Sequence, residues 1–342
     1  MKLMSGLLIS CLLINPVLAS KIVNIYAWGG EIPKKVLQQF EHETGIRVNF
    51  STYDSNETMY AKLKASRHNV YDVILPSAYY VERMKKQGML SKLKQSKLSN
   101  LSNLDPLFTQ NEYDKGNHYS IPIIWGATGI FYNANWVKNP PDSWQALWQN
   151  HWRSQLLLLD DAREVFSIAL MSLGYQPNDN NPNHIQAAYQ KLLKLIPNIK
   201  LFSSDSIQAV IIDEDAIAGS AWNGDIYKAQ LENKQINFVY PQEGYVIWID
   251  CLAIPAHPPH PEEAYQFINF MLKPSTAAQI ALQEGHAITN KKGKALLPRS
   301  IRNNPLVYPT PEVLKRGYFQ RDIDDETIAL YNRYWEQFKL AF

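Results

Sequence analysis

Four consecutive leucines, Leu156 to Leu159, run directly into Asp160, Asp161 and Glu164. A short unbroken apolar run reads as a strand buried on both faces, and such a strand needs helices packed on each side of its sheet. Val165, Phe166, Ile168, Ala169 and Leu170 then repeat with helical period. In an open α/β sheet, ligands bind beyond the carboxyl ends of the strands. This unit therefore aims two carboxylates, Asp161 and Glu164, at a ligand position, three residues apart on one face of a first helical turn. The same Asp-x-x-Glu spacing is also a capping box, and acids near a helix N-terminus are stabilising without any ligand. The rest of the chain has to separate the two readings.

Residues 24–28 read as a strand ending at Gly29-Gly30, and Pro33 opens a helix with Val36, Leu37 and Phe40 inside and Gly45 as its stop. Arg47 to Tyr53 and Tyr71 to Leu75 read as the next two strands, with helices after Asn56 and after Ser77. Strand and helix alternate, which argues for a doubly wound, largely parallel sheet. Residues 91–118 are polar and irregular. Apolar strands resume from Ile121 to Tyr132, a helix is expected around Trp144, and further strands are expected at Ala216 to Trp222 and Tyr245 to Leu252. The tail from Asp325 to Phe342 carries Ile328, Tyr331, Trp335 and Phe338 on one helical stripe.

The first nineteen residues read as an export leader: Lys2, an apolar core from Leu7 to Leu13, and Val17-Leu18-Ala19 before the cut. Leu8-Ile9-Ser10-Cys11 offers a second, less favoured reading as a lipoprotein box. With the leader gone Cys251 stands alone, so no internal disulfide forms. The 342 residues suit about two domains. A net charge of +2 with no basic block gives no argument for nucleic acid.

Aromatic and acidic residues gather where strands are expected to end. Trp28 closes the first, Ser77 and Tyr79 follow the third, and Trp222 ends a later one. Trp248 and Asp250 alternate with Cys251, so the first two share a face and the cysteine points the other way. Tyr79-Tyr80 is expected to place one ring inside and one outside. Crowded carboxylates repel and are costly to bury unpaired. A cation relieves both problems, and indole and phenol faces attract it. A long flexible amine with several charges satisfies every group on this rim.

Ser55 to Lys64, Ile124 to Thr128, Asp160 to Phe166 and Leu252 to Pro255 together resemble the periplasmic spermidine/putrescine-binding proteins of bacterial ABC importers. The similarity spans nearly the whole chain after the leader. It implies a type II periplasmic-binding fold: two α/β lobes, each a mostly parallel sheet flanked by helices, with the ligand cleft between them. The lobes are expected at residues 20–124 with 251–298 and at 125–250 with 299–342. The resemblance implies a monomeric, periplasmic receptor that hands a polyamine to a membrane permease and needs no cofactor, metal or catalytic residue. By matching motif it places Trp28, Ser77, Tyr79, Asp161, Glu164, Trp222, Trp248, Asp250 and Gln320 in the cleft. Glu31 and His286 stand where that family typically has tyrosine, and Gly29 where it has a hydroxyl residue, so both Glu31 and His286 are added as ligand-binding candidates. Two rival readings remain: a ferric site using Tyr79-Tyr80 with Glu31 and His286, and a hydrolase using paired carboxylates.

Overall fold

The computed structural model describes residues 21–66 and 68–342. The expected leader, including Cys11 and Ala19, lies outside the described residues. Among the described residues eleven strands form the framework: β1 Ile22–Trp28, β2 Arg47–Tyr53, β3 Val73–Ile74, β4 Ser120–Asn133, β5 Leu156–Leu158, β6 Ile199–Phe202, β7 Ala218–Trp222, β8 Ile236–Val239, β9 Tyr245–Ala253, β10 Ala287–Ile288 and β11 Gly317–Phe319. The central order is β2-β1-β3-β9-β4-β7-β5-β6. Pairing is parallel at both outer ends, where β1 joins β2 and β3, and β5 joins β6 and β7. The antiparallel pairs gather on β9 and β4 in the middle. The doubly wound alternation thus governs the flanks, while two long strands running through the centre make the whole sheet mixed.

Local chemistry explains the flanking helices. Helix α1, Lys34–Thr44, stops at Gly45, whose φ of 69° is the left-handed conformation glycine tolerates. Helix α2, Asn56–Ala65, is capped by the Ser55 side chain, which accepts from the Thr58 N–H at 3.1 Å. Helix α3, Ala78–Lys86, buries Tyr79, Tyr80, Val81 and Met84. Both tyrosines are inside, correcting the one-in, one-out expectation. Tyr80 is kept there by donating from its hydroxyl to Glu57 at 3.1 Å. The Trp144 segment is a 3-10 turn, Trp144–Trp148, rather than an α-helix. The indole of Trp144 holds it by donating to the Gly244 carbonyl at 2.9 Å.

Two apolar cores form. One packs α1 and the helix Pro261–Met271 on the β1–β3 side, through Phe40, Phe267 and Phe270. The other packs the helices Ala162–Ser172, Pro182–Leu193 and Asp325–Ala341 around Phe166, Tyr331 and Phe338. Leu156, Leu157, Leu158 and Leu159 are fully buried.

Candidate functional site

Strand β4 sets the geometry. Ile124 lies opposite Asp250, Gly126 opposite Trp248, and Thr128 opposite Trp222 on the other neighbouring strand. Alternate positions of a strand share a face. Asp250, Trp248 and Trp222 therefore stand in a row over one face of β4, spread over about 13 Å at the usual strand rise. Gly126 is a requirement of that row: a Cβ there would sit 2.2 Å from Trp248 Cζ2 and 2.7 Å from Asn223 Oδ1.

Strand ends bring the remaining groups. Trp28 closes β1 and lies beside Tyr53, ring centres 4.9 Å apart. Ser77 precedes α3 and donates to Asp250 Oδ1 at 2.5 Å. Asn56 donates to both Ser77 Oγ and the Tyr79 hydroxyl, at 3.0 and 3.1 Å, and fixes both. Gln320 follows β11. All eleven residues named from the sequence, Glu31 and His286 among them, line a single cavity of about 600 Å³.

The ambiguity at Asp161 and Glu164 resolves in a divided way. Asp161 is the N-cap of the helix Ala162–Ser172, accepting from the Glu164 N–H at 2.9 Å. Glu164 does not return the contact as a capping box would. Its side chain is buried, and its Oε2 has no hydrogen-bond partner. Glu31 Oε2 is likewise buried without a partner. Buried carboxylate oxygens without donors are costly, and here both line a cavity wall.

Electrostatics follows from that burial. The lining carries eight acidic residues, the sequence having missed Asp54, Asp205, Asp225 and Glu284. Lys228 is the one lysine or arginine among the described lining residues, and Glu284 already engages it at 3.4 Å. Burial first, and then the Asp161 charge, push the Glu164 carboxyl up to about 8. Burial pushes Asp250 up to about 6 against the hydrogen bond from Ser77. Glu31 is raised well above the usual carboxylate range by burial and by Asp250. His286 goes the other way, down to about 4, through burial and then Lys228, so its ring is neutral at pH 7. It meets Trp248 edge to face at 5.6 Å.

Of the four acids the sequence missed, two sit on helices, while Asp54 follows β2 and Asp205 lies in the bend beyond β6. Asp225 belongs to the helix Asn223–Glu232 and accepts from Gln208 at 2.9 Å. Glu284 ends the helix Pro274–Glu284. Asp225 lies in the first turn after β7, and only Glu284 is remote from a strand's carboxyl end.

A cavity of this size, walled by aromatic rings and by buried polar groups without partners, defines a protein that binds a small solute. The chain belongs to the bacterial extracellular solute-binding proteins, whose family profile matches residues 35–307. It is 42% identical over 315 residues to the spermidine/putrescine-binding periplasmic protein of Escherichia coli (strain K12), covering 92% of this chain and 90% of that one. A solved structure from Listeria monocytogenes superposes with a TM-score of 0.91 at 36% identity, covering 94% of this chain and 100% of the other. The spermidine/putrescine ABC transporter substrate-binding protein PotD from Streptococcus pneumoniae superposes with a TM-score of 0.81 at 36% identity, covering 94% and 99%.

Proposed function

We propose that this chain captures a polyamine, putrescine or spermidine, in the cavity and delivers it to the membrane permease of an ABC importer. The observation that carries the reading is the charge balance of the wall: eight acids against one engaged lysine, with Trp28, Trp222 and Trp248 between them. Ammonium groups supply the donors that Glu31 Oε2 and Glu164 Oε2 lack. The indole faces cover the methylene segments and attract the adjacent charge. In this reading Asp161 and Glu164 hold one nitrogen, Asp250 and Glu31 another, and Ser77, Tyr79 and Gln320 orient the groups around them. His286, neutral at pH 7, adds wall without adding charge.

The two lobes of this reading are residues 20–124 with 251–298 and residues 125–250 with 299–342. Trp28, Glu31, Ser77 and Tyr79 come from the first; Asp161, Glu164, Trp222, Trp248, Asp250 and Gln320 come from the second. A bound amine bridges the two sets and favours closure by a hinge motion. The chain acts as a periplasmic monomer after cleavage at Ala19, and no described helix is long and apolar enough to cross a membrane. The relationship to solute-binding proteins supports binding without catalysis.

The ferric reading fits the tyrosines poorly. Tyr80 donates to Glu57, and burial pushes both phenols away from ionisation. A tyrosinate ligand needs the opposite. Fluorescence titration tests the polyamine reading: spermidine changes the tryptophan emission saturably and lysine does not. Emission indifferent to spermidine contradicts it.

A further inference from the structure

We propose that Glu31 makes its end of the cavity demand a protonated nitrogen: it holds a proton against Asp250 while the cavity is empty and releases it when an ammonium group arrives. The inference rests on the polyamine reading and goes beyond it by assigning a specificity-determining residue.

The geometry begins with the turn after β1. Gly30 has φ of 78°, a left-handed conformation that suits glycine. It carries the chain from Trp28 to Glu31, and buried Ile32 and the helix cap Pro33 pin the far side. Glu31 is thereby held over the cavity whose wall it shares with Asp250, its Oε2 buried without a hydrogen-bond partner. Asp250 is buried and fixed from behind by Ser77.

Two neighbouring carboxyls on one desolvated wall do not both ionise unless a cation joins them, and the Asp250 charge raises Glu31 accordingly. The groups facing the pair supply none. On β2, the Tyr53 hydroxyl is committed to the Leu75 carbonyl at 2.5 Å. Glu284 adds negative charge, and Lys228 is engaged by Glu284. His286, following the helix Pro274–Glu284, is neutral at pH 7. A proton shared between Glu31 and Asp250 is what remains. An ammonium group replaces it, gives N–H donors to both carboxylates and sends the proton to solvent. A hydroxyl or acylated end brings no charge, leaves the proton in place and gains nothing from Glu31.

The test is calorimetric titration of spermidine and putrescine into the wild type and Glu31→Gln at pH 6, 7 and 8.5, in two buffers of unlike ionisation heat. Glutamine keeps the shape and donates to Asp250 permanently. Glu164 releases its own proton in both proteins, so the reading is the difference between them. The wild type is expected to release close to one proton more per ligand. Its affinity advantage should be small at pH 6 and about tenfold or more at pH 8.5, because a linked proton contributes about tenfold per pH unit. Equal proton release and parallel pH profiles overturn the role of Glu31. Binding of no amine by either protein overturns the polyamine reading and this inference with it. If the variant does not fold, infrared difference spectra of the wild type decide: loading removes two protonated-carboxyl signals, from Glu31 and Glu164, and removal of only one contradicts the inference.

Discussion

Glu164 sits at a helix N-terminus, where the backbone field favours a negative charge, yet burial and Asp161 hold it mostly protonated at pH 7. Amine binding reverses that balance, because the ammonium charge compensates what burial removed. Affinity is therefore expected to rise from pH 6 to pH 8 as the cost of removing this proton falls. Titrations across that range check the direction, and a flat or falling profile contradicts it. Asp250→Asn isolates the other end. It is expected to weaken spermidine binding by ~2–5 kcal/mol, the scale for breaking a buried charge pair, and less than a tenfold change in dissociation constant counts against Asp250 as an ammonium partner.

Among the elements, β4 and α3 hold the site together. Gly126 lets the Trp248 ring lie across β4, so Gly126→Ala forces the indole or the strand to move. Overpacking of this kind costs ~1–3 kcal/mol, and chemical denaturation should show a loss of that size together with altered tryptophan emission; an unchanged midpoint contradicts the packing account. Helix α3 begins in the cavity at Tyr79 and grips the segment after Gln320 further along. Arg83 donates to Asp322 Oδ1 at 3.0 Å and to the Ile323 carbonyl at 2.7 Å, and also engages Asp325. Lys86 reaches the same Asp322 at 2.9 Å from a side chain that is 57% exposed, against 10% for Arg83. Arg83→Met leaves Asp322 buried with a weaker partner and should cost ~3 kcal/mol, whereas Lys86→Met should cost under ~1 kcal/mol. Equal losses would show that burial does not separate the two.

For the molecule as a whole, the raised acids give the empty protein a pH dependence of known sign. Between the ordinary carboxylate range and about 8, folded Glu164 and Asp250 hold protons that the unfolded chain releases. Stability therefore falls as pH rises through that window. A bound polyamine restores it by mass action, so the gap in melting temperature between loaded and empty protein should widen from pH 5 to pH 8; a gap that narrows contradicts the linkage.

The same scale shows what the sequence made legible. The leucine run and the strands ending in Trp28 and Trp222 announced the α/β flanks, because strand burial and helix period are written in local order. The row Asp250–Trp248 was readable from alternation alone. The antiparallel centre was not, because pairing between β4 and β9 joins residues more than a hundred positions apart. Glu284 escaped for a related reason, since it ends a helix brought to the cavity by tertiary packing; Asp225, three residues after Trp222 in the first turn of the next helix, was within reach of the strand-end pattern that gave Glu164.

The central claim is that this acidic, indole-lined cavity exists to hold a multiply protonated amine. Calorimetric titration of the protein with spermidine at pH 8 and low salt addresses it directly. The account predicts saturable one-to-one binding with a dissociation constant of about 1 μM or tighter, near −8 kcal/mol, and release of protons to the buffer. Heat that never saturates up to about 1 mM spermidine, near −4 kcal/mol, contradicts it.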